Sequence, residues 1–156
     1  VAVEDLGRGF KVSAPFPVGE LGSPVEVVSL EELLAKPVAR VTLRAPGRPS
    51  EDFIALVERA GMHGVSYAVG WTAWLDITPD GVSKASALER VRQWAGVDPT
   101  RTVAAGDGMN DREMLQWAAL GVAMGNADPG TVALADAVTD RVQQDGIVPV
   151  LRAVLG

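Results

Sequence analysis

The rhythm of apolar and polar positions changes near residue 79. Before it, Phe10 to Phe16 and Val38 to Ala45 read as strands, the second rich in the β-branched residues that suit a pleated surface. Ser29 to Leu34 predicts a short helix, with Ser29 as N-cap and Glu32 in the capping-box position. Ser50 then precedes Phe53, Ile54, Leu56 and Val57, an apolar stripe at helical spacing that stops at Gly61. Val65 to Val69 and Ala73 to Ile77 flank Gly70-Trp71-Thr72, which predicts a hairpin.

Beyond residue 79, helix and strand alternate. Leu88, Val91 and Ala95 space out a helix from Lys84 to Trp94 that Gly96 ends. Thr102 to Ala105 is short and apolar throughout, the pattern of a parallel strand covered on both faces. A helix over Asp111 to Ala119, a strand at Val122 to Met124 and a helix from Pro129 to Ala135 follow, then a brief strand at Ala137-Val138 and a closing helix from Ile147 to Leu155. This alternation predicts the α/β class: half of a doubly wound, Rossmann-like sheet over residues 80–156, preceded by an α+β unit over residues 1–79.

Composition narrows the function classes. Hydrophobic residues make up 47% and charged residues 22%, a globular balance. Fourteen basic against 20 acidic residues leave a net charge of −6, which argues against holding nucleic acid through its phosphates. Cysteine is absent, so disulfides and thiolate metal sites are excluded. No apolar run approaches the roughly 20 residues that span a bilayer, and no signal peptide is read at Val1. The expectation is a cytoplasmic protein with no membrane partner.

The chemistry is concentrated in Gly106-Asp107-Gly108-Met109-Asn110-Asp111, just past the apolar strand. Ligands of open α/β sheets gather at the carboxyl ends of strands. Two glycines let the backbone turn sharply, and two carboxylates beside a helix start suit a hard cation with its phosphate ligand. A purely structural reading makes Asn110 the N-cap of the next helix, with Glu113 completing a capping box.

This stretch resembles the fourth motif of the haloacid dehalogenase (HAD) superfamily. Lys84, in Thr78-Pro79-Asp80-Gly81-Val82-Ser83-Lys84-Ala85, resembles the third, and Met124-Gly125-Asn126-Ala127 and Asp145-Gly146 resemble later segments of the Cof-type subgroup, whose members carry a large α/β cap. The resemblance implies a Mg²⁺-dependent phosphatase that hydrolyses a small phosphorylated metabolite, such as a sugar phosphate, through an aspartyl-phosphate. It implies that Asp107 binds Mg²⁺, that Asp111 either orders a metal-bound water or holds Lys84, that Asn110 contacts the phosphate, and that Lys84 neutralises charge on nucleophile and phosphoryl oxygens.

The family's Asp-x-Asp-Gly-Thr nucleophile motif is not found: no two aspartates lie two residues apart. The chain therefore reads as an α+β cap followed by the later half of the core, inactive alone, with its nucleophile elsewhere. Its Thr102 to Ala105 strand is expected to have a bare edge, covered by the missing N-terminal half of the core, a second copy or a rearranged segment of residues 1–20. The alternative is a catalytically silent HAD-fold binding or regulatory module.

Weaker signals read as structural. His63 is taken as a surface loop residue, Trp71 and Trp74 as hairpin packing, and Trp94 and Trp117 as core. Arg40 and Arg44 are placed on a solvated strand face, and Asp136, Asp140 and Asp145 in solvated turns.

Overall fold

Ala2–Asp5 (β1) folds back antiparallel on Gly9–Val12 (β2), with Ala2 opposite Val12 and Asp5 opposite Gly9. Gly9 has φ +113° beside Pro24, whose carbonyl occupies the space a Cβ would need, so only glycine permits this approach. The computed structural model describes residues 1–5, 7–17, 21, 24–45, 49, 52, 55, 59, 65–69 (backbone only) and 74–156. The chain divides into two compact units, Val1–Gly81 and Val82–Gly156.

In the first unit Val25–Val27 (β3), Val41–Arg44 (β4), Val65–Val69 (β5) and Trp74–Pro79 (β6) complete a six-stranded sheet of order β3-β2-β1-β4-β6-β5. The β2–β3 pair is parallel and the other pairs are antiparallel. Leu30–Leu34 (α1) starts at Ser29, whose hydroxyl accepts the Glu32 amide at 3.1 Å. The Glu32 carboxylate does not return the bond; it accepts Lys11 Nζ at 2.7 Å instead. Ala2, Val12 and Leu21 form a buried cluster with Phe10, Phe16 and Trp74 against it. The Phe16 and Trp74 rings meet edge to face, 5.9 Å between centroids. The strands expected at 10–16 and 38–45 are shorter than the sequence pattern suggests, and β1 and β3 were not anticipated. β5 and β6 do pair antiparallel. The apolar stripe Phe53 to Val57, His63 and the Gly70-Trp71-Thr72 tip lie outside the described residues.

The second unit is a three-stranded parallel sheet of order β7-β8-β9, formed by Val103–Gly106 (β7), Leu120–Ala123 (β8) and Ala137–Val138 (β9). Lys84–Ala95 (α2) precedes β7, and Arg112–Trp117 (α3), Pro129–Val132 (α4) and Ile147–Leu155 (α5) complete it. Ser83 and Ser86 cap the start of α2 reciprocally, and Gly96 ends it at φ +63°. α3 packs Leu115 and Ala118 on Ala104. It lies so close to β8 that a Cβ on Gly121 would overlap the Leu115 carbonyl. The class is thus α/β, half of a doubly wound Rossmann-like core preceded by an α+β unit.

Side-chain alternation along β7 sends Ala104 towards α3, while Val103 and Ala105 line an apolar groove of about 510 Å³ with Leu88, Val91, Leu151 and Val154. β7 stands at the end of the strand order, with no partner on its outer edge among the described residues. The described strands of residues 1–20, β1 and β2, pair within the six-stranded sheet.

Trp94, read from sequence as core, is 83% exposed. Leu88, Val91 and Ala95 border the open groove, Trp94 is not among its lining residues, and no residue of the helix is fully buried. Trp117 is partly buried and donates its indole N–H to Glu89 at 3.0 Å.

Candidate active site

At Gly106 the chain leaves β7 and turns through Asp107 and Gly108 into a 3₁₀ turn, Met109–Asp111, that runs straight into α3. The glycines are required by what folds back on them. A Cβ on Gly106 would lie 2.5 Å from the Asp111 Cβ, and one on Gly108 2.8 Å from the Asn110 Oδ1.

Asp111 is 5% exposed and both its oxygens are engaged. Oδ2 accepts the backbone N–H groups of Asp107 and Gly108, each at 3.0 Å. Oδ1 accepts from the ammonium of Lys84, the first residue of α2. Burial pushes this carboxyl up, but the Lys84 hydrogen bond, the two amides and the Lys84 charge outweigh it and hold the group below its ordinary range.

The capping arrangement differs from the sequence reading. The 3₁₀ turn intervenes before α3, so Asp111 reaches back to the Gly108 amide, and neither Asn110 nor Glu113 caps the helix. The exposed Asn110 side chain makes no hydrogen bond among the described residues.

Asp107 accepts a hydrogen bond from Asn126 Nδ2 at 2.6 Å through Oδ2, and Asn126 Oδ1 accepts the Val142 amide at 3.0 Å. Asp107 Oδ1 has no protein donor among the described residues. Lys84, Asp107 and Asp111 therefore form one network at the carboxyl end of β7, with Asn110 on the same loop. Asn126 was not anticipated as part of it. Its segment, Met124-Gly125-Asn126-Ala127, carries the resemblance to the Cof-type subgroup, but the sequence assigned Asn126 no role.

Among the described residues no three His, Cys, Asp or Glu side chains gather as a metal site. The available donor is Asp107 Oδ1, because Asp111 is committed to Lys84 and two amides. Mg²⁺ takes one or two protein carboxylates and completes its octahedron with water and substrate phosphate, so the donor present fits as one part of such a set.

Elsewhere, Arg112 ties α3 to α4 through Asp128 at 2.7 Å and Thr131 at 2.9 Å. Asp136 is not merely solvated, since it accepts the Gly121 amide at 2.8 Å. Arg40 lies over the Phe10 ring, 5.5 Å from its centroid, with Asp76 and Glu4 carboxylates at 3.7 and 3.8 Å. It is held on the sheet rather than projecting from it. Among the described residues no helix is long and apolar enough to cross a membrane.

A family model for haloacid dehalogenase-like hydrolases matches residues 23–151. The chain belongs to this family. Phosphoglycolate phosphatase from Natronomonas pharaonis is 36% identical over 104 residues, 67% of this chain and 44% of that protein. The 5-amino-6-(5-phospho-D-ribitylamino)uracil phosphatase YitU from Bacillus subtilis is 30% identical over 131 residues, 82% of this chain and 48% of that protein. Among solved structures, a HAD subclass IIB sugar phosphatase superposes with a TM-score of 0.71 at 30% identity, covering 84% of this chain and 48% of the other. A phosphatase of the haloalkanoate (HAD) enzyme superfamily from Bacteroides thetaiotaomicron gives a TM-score of 0.73 at 30% identity, covering 98% of this chain and 57% of the other. This HAD chain thus spans about half the length of these four relatives.

Proposed function

We propose that this chain supplies the cation- and phosphate-facing side of a Mg²⁺-dependent phosphatase acting on a small phosphorylated metabolite, with the aspartate nucleophile outside these 156 residues. Residues 1–79 would serve as the cap and 80–156 as the later half of the core. The observation that carries the reading is the network Lys84–Asp111–Asp107, which sets an ammonium and a free carboxylate oxygen at one strand end.

Phosphoryl transfer spreads negative charge over three oxygens, so positioning and electrostatic stabilisation dominate its catalysis. Lys84, held by Asp111, offers its remaining N–H donors to phosphoryl oxygens. The exposed Asn110 amide offers a further donor. Asp107 would hold Mg²⁺, and the cation would neutralise phosphoryl charge when bound. An aspartate carboxylate attacks phosphorus as the P–O bond to the substrate breaks, the departing alkoxide takes a proton from water, and a second water hydrolyses the aspartyl-phosphate to carboxylate and inorganic phosphate. A sugar phosphate is the substrate class favoured, on the strength of the sugar phosphatase among the structural relatives.

The absence of an Asp-x-Asp pair in these residues keeps a second reading in play, a silent HAD-fold module. Reading the coding sequence upstream of Val1 and assaying the resulting protein separates the two. An Asp-x-Asp-Gly-Thr motif with Mg²⁺-dependent phosphomonoester hydrolysis, lost in Asp107→Ala and Lys84→Ala, supports the phosphatase. No such motif and no turnover supports the module.

A further inference from the structure

Among the described residues, Asp107 has a donor on one carboxylate oxygen and none on the other. Its Oδ2 accepts Asn126 Nδ2 at 2.6 Å, while Asn126 Oδ1 accepts the Val142 N–H at 3.0 Å. The second bond decides the orientation of the amide. A backbone N–H can be met only by the amide oxygen, so the NH₂ end must face Asp107.

The turn that carries Asn126 is fastened by main chain on both sides. Met124 N–H donates to the Gly106 carbonyl at 2.9 Å, which ties the turn to the end of β7. Gly125 N–H donates to the Asp140 carbonyl at 3.1 Å, and a Cβ on Gly125 would stand 2.8 Å from the Thr139 carbonyl oxygen. Asn126 is thus a strut between two loops, with little freedom to release Asp107.

We propose that Asn126 is a positioning residue that restricts Asp107 to one-oxygen ligation, and thereby sets a preference for Mg²⁺ over Ca²⁺. The inference rests on the reading of Asp107 as a cation ligand. Mg²⁺ demands a near-ideal octahedron, which single carboxylate oxygens and water satisfy, whereas Ca²⁺ takes six to eight oxygens and often both from one carboxylate. An amide N–H held on Oδ2 opposes the two-oxygen mode. Groups that orient a metal ligand in this way commonly change affinity about 10- to 100-fold when removed.

The test uses the full chain, with Mn²⁺ binding followed by electron paramagnetic resonance at millimolar concentrations and Mg²⁺ or Ca²⁺ added as competitor. Thermal unfolding confirms that each variant is folded. Asn126→Ala is expected to lower Mn²⁺ affinity about ten-fold and to shift the competition in favour of Ca²⁺. Val142→Pro removes only the N–H that Asn126 grips. Val142 opens a 3₁₀ turn and Arg141 before it has φ −69° and ψ 160°, which a following proline accepts. This variant is expected to shift the competition in the same direction by less, and it decides the matter if Asn126→Ala does not fold. Folded variants with unchanged affinity and unchanged Mg²⁺ to Ca²⁺ ratio overturn the proposal while leaving Asp107 as ligand. Mn²⁺ binding that survives Asp107→Ala, or is absent from the unaltered chain, overturns both.

Discussion

The Lys84 ammonium is bonded to one oxygen of Asp111, whose other oxygen gathers the backbone amides of Asp107 and Gly108. One carboxylate thus fixes both the cationic side chain and the loop beside it. The two partners are unequal, for Asp111 is buried while the Lys84 side chain is half exposed. Asp111→Ala is expected to destabilise by about 1–3 kcal/mol through two orphaned amides, and Lys84→Ala by less. Urea midpoints at neutral pH measure both. A larger loss for Lys84→Ala would mean that the ion pair, not the loop amides, carries the stabilisation.

Gly106→Ala sets a methyl 2.5 Å from the Asp111 Cβ and 2.7 Å from its Cγ. The methyl must displace Asp111 or bend the end of β7. Overpacking of this kind costs about 1–3 kcal/mol. Denaturant unfolding should show that loss. A variant as stable as the parent would mean that the loop yields freely.

Acid should weaken the second unit through Glu89. Hydrogen bonds from Arg92, Trp117 and Gln93 lower this carboxyl from its ordinary 4.5 to about 2, against an opposing push from desolvation. A depressed folded-state pKa gives stability that is present above the unfolded value and is lost as pH falls through the folded one. The loss should therefore run from about pH 4.5 to about pH 2. Asp111 and Asp128 are also lowered and act with the same sign. Glu89→Gln should flatten part of that slope in urea midpoints measured from pH 5 downwards. An unchanged slope would assign acid sensitivity to other carboxylates.

The outer edge of β7 and the groove beside it should drive association. A strand edge presents unpaired N–H and C=O groups, and Val91, Val103, Leu151 and Val154 are exposed next to it. Light scattering of the isolated chain is expected to show concentration-dependent self-association, reduced by Leu151→Glu. Joining the chain to a family N-terminal half-core should suppress it. A monomer at every concentration would show that the edge is covered from outside the described residues.

Much of the second unit was legible in the sequence because its signals are local. Periodicity placed α2 and α5, proline opened α4, and an unbroken apolar run marked β7 as a parallel strand. The Gly106-to-Asp111 string pointed to a strand-end loop, since glycines and paired carboxylates there are functions of backbone conformation and charge. Boundaries and partners were less legible. β1 and β3 are four and three residues long and owe their existence to pairing with distant strands, such as Val3 with Val41. Trp94 is exposed on the same helix as Leu88 and Val91, because which face of α2 meets the rest of the unit is set by packing that the helical pattern alone does not show. Asn126 meets Asp107 across 19 residues, and Asp111 rather than Asn110 reaches the Gly108 amide. The sequence by itself determined the residue types at the strand end and the turns that expose them. Only the tertiary structure decided which oxygen each donor reaches, because hydrogen-bond choice depends on separations of tenths of an ångström between segments far apart in the chain.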